Sequence, residues 1–132
     1  MPSEYSTLLS SFKDHTTIVN SLWSIFQAVS LAMVGFVFSQ EHVRRNAWIL
    51  LGMSVAFLVF SIGNQKAILR SQAVLRAVHE QCHDQAFLAS APSSLRGVLE
   101  AHSAPSVDEI RRGHYFLTAG VVAIAWVPFI FG

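Results

Sequence analysis

Charged side chains are scarce in this chain: Asp, Glu, Lys and Arg make up 13% of its 132 residues, against about 25% in a soluble domain. With so little charge there is no polar shell to enclose a water-soluble core. The hydrophobic fraction of 52% and mean hydropathy of +0.45 are those of a membrane protein. Cysteine is nearly absent as well, and the lone Cys82 excludes an intramolecular disulfide and hence a stapled secreted scaffold. No run of Lys or Arg occurs and the net charge is only +1, so no nucleic-acid partner is expected. The length leaves room for a single domain, residues 1–132.

Long apolar stretches are what the chain does have. Residues 17–39, 47–63 and 115–132 each approach the roughly 20 helical residues that cross a bilayer core of about 30 Å. The expected fold is therefore all-α, an integral membrane protein with three transmembrane helices. The first apolar run exceeds the roughly 7–15 residues of a signal-peptide core, so it reads as a retained span. Ahead of it, Tyr5, Leu8, Leu9 and Phe12 recur at i, i+3, i+4 and i+7, which predicts an amphipathic helix over residues 4–14 that lies in the interface or extends span one.

Residues 64–113 form the one sizeable polar segment, expected to be a cytoplasmic helical loop. Its first half lacks Gly and Pro and carries Ile68, Leu75, Val78 and Cys82 on one stripe, so span two should continue out of the membrane as a long helix. Ala91-Pro92-Ser93-Ser94 and Ser103-Ala104-Pro105-Ser106 read as breaks around a short helix over residues 94–102. Ser106 ahead of Val107-Asp108-Glu109 has the form of an N-cap with acids in the first turn, launching the helix of span three.

Lys13, Lys66, Arg70, Arg76, Arg111 and Arg112 lie on the side of the N-terminus and the long loop, against Arg44 and Arg45 in the short connection. This asymmetry places residues 64–113 and the N-terminus in the cytoplasm of a cell bounded by a plasma or inner membrane, although the arginine pair after span one argues locally for the reverse. Trp48 and Tyr115 sit where interfacial anchors belong. Drawn at these boundaries, no span contains Asp, Glu, Lys, Arg or His, which argues against proton pumping, ion-coupled transport and intramembrane haem ligation.

Each span offers a face for close helix contact. On span one, Asn20, Ser24, Gln27 and Leu31 share one side, with Gly35 beside it; span two offers Gly52, Ala56 and Gly63, and span three Ala119 and Ala123. Three thin helices leave much lipid-facing surface, so membrane lipid and either further copies or other membrane subunits are the expected partners. The leading expectation is a protein that acts by helix packing, as an accessory subunit or a self-assembling homo-oligomer, without catalysis and without a cofactor. An oligomeric pore lined by Asn20, Ser24 and Gln27 is the alternative.

A third reading comes from His79-Glu80-Gln81-Cys82-His83, which matches H-E-x-x-H. On a helix, His79 and His83 share a face and could hold zinc, with Glu80 as general base and Glu100 or His102 as a later ligand. With six His and five Glu in the chain, the pattern arises by chance in about one sequence in a hundred of this composition. No strand-forming segment surrounds it, and the two histidines flank the apolar stripe as boundary residues of a packed helix would. His15 and His114 fall at the mouths of their spans, where they could face each other around a metal or a lipid head group.

Overall fold

The computed structural model describes residues 2–82 and 106–132. Over these the chain is helical throughout: α1 (Pro2–Ser39), α2 (Glu41–Arg44), α3 (Ala47–Cys82) and α4 (Val107–Phe131). Three of the four, α1, α3 and α4, are long and apolar enough to cross a membrane. Each of the three packs against the other two.

All three long helices bury residues at alternating spacings of three and four. On α3 the buried stripe is Leu50, Ser54, Phe57, Ser61, Asn64, Ile68, Leu75 and Val78, with Gln65 buried beside Asn64; on α4 the buried set is His114, Thr118 and Ala125; on α1, Val19, Phe26, Met33 and Val37 lie seven and four apart, with Ser30 between. A repeat of 3.5 residues keeps one seam turned towards the neighbouring helices along the whole length of each element. Between bilayer-embedded helices this contact gains little from the hydrophobic effect, because lipid is as apolar as leucine, and relies on close packing instead.

Phe26 is the centre of that packing. It is 2% exposed and its ring meets Phe57 at 6.0 Å, Phe60 at 6.5 Å, Trp23 at 6.0 Å and the His114 imidazole at 4.4 Å between centroids. One side chain of α1 thereby touches both other long helices. At the opposite end, the fully buried Val37, Leu50 and Ala125 close the core together with Val43 of α2. The α1–α3 connection is tight. The Asn46 carboxamide oxygen accepts from the backbone N–H groups of Trp48 and Ile49 and so caps the start of α3.

The helices are unequal in length, and this shapes one end of the molecule. At about 1.5 Å per residue, the 36 residues of α3 reach about 54 Å and the 38 of α1 about 57 Å, well beyond a 30 Å core. The predicted extension of span two is therefore one continuous helix to Cys82, with Ile68, Leu75 and Val78 buried on its stripe. The N-terminal segment likewise prolongs span one instead of forming a separate element. Helix α4 starts at Val107, where the Ser106 cap signal puts it, and Ser106 and Glu109 close a capping box: the Ser106 hydroxyl accepts from Glu109 N–H and the Glu109 carboxylate from Ser106 N–H. The breaks at Pro92 and Pro105 and the short helix between them lie outside the described residues.

Phe26→Ala should be the costliest single truncation. With no transfer term to lose in lipid, the cavity alone predicts about 2 kcal/mol, from about 24 cal/mol per Å³ of a void near 100 Å³. Thermal unfolding in mild detergent is the measurement; Val59→Ala, at a position 67% exposed, should shift stability by under about 0.5 kcal/mol.

Candidate functional site

Two polar arrangements stand out on the long helices, one enclosed by the bundle and one turned away from it. The enclosed one centres on His114, a residue the apolar run places at the mouth of span three. In α4, His114 is packed into the three-helix junction and is 1% exposed. Its ring packs on Phe26 and, at 5.5 Å, on Trp23 of α1. Residues 17–39, 47–63 and 115–132 hold no Asp, Glu, Lys, Arg or His, and His114 stands one position ahead of the third stretch within the same helix.

His114 Nδ1 lies 3.4 Å from the Thr118 hydroxyl and 3.5 Å from that of Ser61, and the two hydroxyls share a short hydrogen bond of 2.6 Å. The Thr118 hydroxyl also reaches the His114 backbone carbonyl at 2.8 Å. Nε2 is buried without a partner among the described residues. Close by in sequence, Asn64 and Gln65 of α3 are also buried; the Gln65 amide reaches the Arg111 carbonyl at 3.4 Å, while Asn64 Nδ2 has no partner. Nearer the other end, Trp126 Nε1 donates to Ser54 at 3.0 Å. Ser61 with Thr118 and Ser54 with Trp126 pin α3 to α4 at two levels and set their antiparallel register.

The outward arrangement contains the contact faces read from the sequence. Asn20, Ser24, Gln27 and Gly35 of α1, Gly52, Ala56 and Gly63 of α3, and Ala119 and Ala123 of α4 are all exposed. None of them belongs to the intramolecular core. A Cβ added at Gly35, Gly52 or Gly63 would meet no atom within 4 Å, so nothing inside the chain requires glycine there. The internal seam uses larger or hydrogen-bonding residues instead.

Most in-span hydroxyls satisfy themselves by donating to a carbonyl one turn back: Ser24 to Asn20, Ser30 to Phe26 and Ser54 to Leu50. A glutamine amide has two donors and an acceptor that no such back-bond satisfies together. Gln27 makes no hydrogen bond with any described residue through its side chain, and it sits about 15 Å from Thr17 and about 18 Å from Ser39 along α1 at about 1.5 Å per residue. It is an outward amide near the middle of the apolar stretch 17–39.

Of the possible metal ligands, His79 is half-buried at the edge of the α3 stripe, and Glu80 is exposed and paired with Arg76 at 3.2 Å. His83, Glu100 and His102 lie outside the described residues. Among the described residues, no group of three or more His, Cys, Asp or Glu side chains is placed to hold a metal ion. His15 is not brought to His114, whose contacts on α1 are Trp23 and Phe26, eight residues or about 12 Å further along. His15 instead lines a groove of about 470 Å³ with Ser6, Thr7, Ser10, Ser11 and Asp14. Comparison with protein-family models, curated proteins and solved structures finds no match to this chain.

The buried hydroxyl pair makes a stability prediction, read by thermal unfolding in mild detergent. Ser61→Ala should cost about 1 kcal/mol of stability, the scale of hydrogen bonds between membrane helices.

Proposed function

We propose that this protein is a small multi-span membrane protein that acts by helix packing, as a self-assembling homo-oligomer or as an accessory subunit of a membrane complex. One observation carries the reading: the small and polar residues suited to close helix contact face out of the bundle, while the chain packs itself with others. Small residues on a lipid-facing helix let another backbone approach, and a polar group among them gains a partner only if one arrives. The long α1 and α3 extend the available surface beyond the bilayer on one side. With the basic residues concentrated there, the positive-inside rule assigns that side, with residues 64–113, to the cytoplasm of a plasma or inner membrane.

The same α1 face lining a pore would be polar over one half of the bilayer only. From Asn20 to Gln27 it offers polar groups, but it continues as Leu31, 74% exposed, and Phe38, 46% exposed. Contact between helices suits this division better than conduction does.

In mild detergent the protein should run as a species above the 14.6 kDa of one chain, and Gly35→Leu, where an added Cβ meets no atom of the chain itself within 4 Å, should reduce that mass while leaving the helical content unchanged. A monomer without any partner in native membranes would overturn the proposal. Two exposed positions supply a test of orientation: in a Cys82→Ser background a membrane-impermeant maleimide should label Gln81→Cys only after permeabilisation, whereas His42→Cys should be labelled in intact cells.

A further inference from the structure

We infer that α1 is the contact between copies, and that two chains meet there in parallel around a two-fold axis that brings Gln27 of each against Gln27 of the other. The inference rests on the helix-packing reading and names the partner as a second copy of this chain. Its starting point is Gln27: an exposed carboxamide with no hydrogen-bond partner on α1 or on its neighbours, halfway between the ends of the span. Lipid tails offer it nothing, and an unsatisfied polar group at that depth costs several kcal/mol.

Three features choose a second copy as the occupant. A carboxamide is its own complement, since its N–H donates to the oxygen of another and its oxygen accepts in return. Copies inserted with the same orientation hold Gln27 at one depth, so a parallel two-fold contact pairs the group with itself. The residues sharing its face also have the spacing such a contact uses: Asn20, Ser24, Gln27 and Leu31 follow intervals of four, three and four, and all are exposed. That is the same 3.5-residue seam the bundle uses internally, repeated on another side of α1. Two amides on the seam, Asn20 and Gln27, lie one heptad apart and fix register and copy number, because sliding by one turn leaves both unpaired. Ser24 does not compete for them, as its hydroxyl is already bonded to the Asn20 carbonyl at 2.9 Å.

Disulfide trapping in native membranes tests the contact. In a Cys82→Ser background, Ser24→Cys and Leu31→Cys lie on the seam, Ile25→Cys is on another side of α1, and Ala56→Cys is on the outer face of α3. Oxidation should give dimers at Ser24→Cys and Leu31→Cys and little at Ile25→Cys or Ala56→Cys. In the dimer, Gln27→Leu should weaken self-association about tenfold, measured by energy transfer between labelled chains in liposomes, and Gln27→Asn should recover part of the loss. Trapping strongest at Ala56→Cys or Ile25→Cys overturns the α1 contact while leaving self-assembly standing. Absence of trapping at all four positions, with the chain held in a complex of different subunits, overturns the second copy as occupant but not the accessory-subunit reading. A monomer with no partner overturns both.

Discussion

Polar groups within a span cannot be left to the lipid, and the arrangement of this molecule follows from how each one is answered. Backbone groups are answered by the helix itself, which is why α1, α3 and α4 run unbroken through their apolar zones. Ser24, Ser30 and Ser54 are answered by the carbonyl one turn back. Ser61, Thr118 and Trp126 are answered across the α3–α4 contact, where His114 Nδ1 also lies close to both hydroxyls. The side-chain amides of Asn20 and Gln27, exposed on α1, are answered by no described residue.

The cross-helix bonds do more than satisfy their atoms. Phe26, Met33, Val37, Leu50 and Phe57 fill the seam, but apolar contacts tolerate sliding, since one leucine-sized knob fits many holes. Ser61 to Thr118 and Trp126 to Ser54 have short donor–acceptor distances that survive only one alignment. His114 completes the upper pin by wedging its ring between Phe26 and Trp23, so the polar layer and the aromatic layer of the core meet at a single residue.

Much of this architecture was legible from hydropathy and spacing. The start of α3 at Ala47, its continuation to Cys82 and the capping box at Ser106 follow from local signals: a turn ending in Asn46, a helical stripe without Gly or Pro, and a Ser three residues before a Glu. The role of His114 was not legible in the same way. A hydropathy boundary sees Arg111, Arg112 and His114 as polar and draws the span from Tyr115, although His114 is spaced four residues from Thr118 and eleven from Ala125 on the seam that is buried. That heptad spacing was the available signal. Likewise the small residues of Gly35, Gly52 and Ala119 announced faces for close contact, and spacing by itself had no means of saying whether those faces meet within one chain or beyond it.

The sequence by itself determined that the chain is helical and carries three segments able to cross a bilayer, because composition and helix length are local quantities that need no partner. It also determined which residues on each helix share a side. Only the tertiary structure decided which side turns inward, because a span such as α1 carries several contact seams. Here the aromatic seam through Phe26 packs against both other long helices and engages His114. The seam through Gln27 is thereby left facing out, with its amide unpaired within the chain.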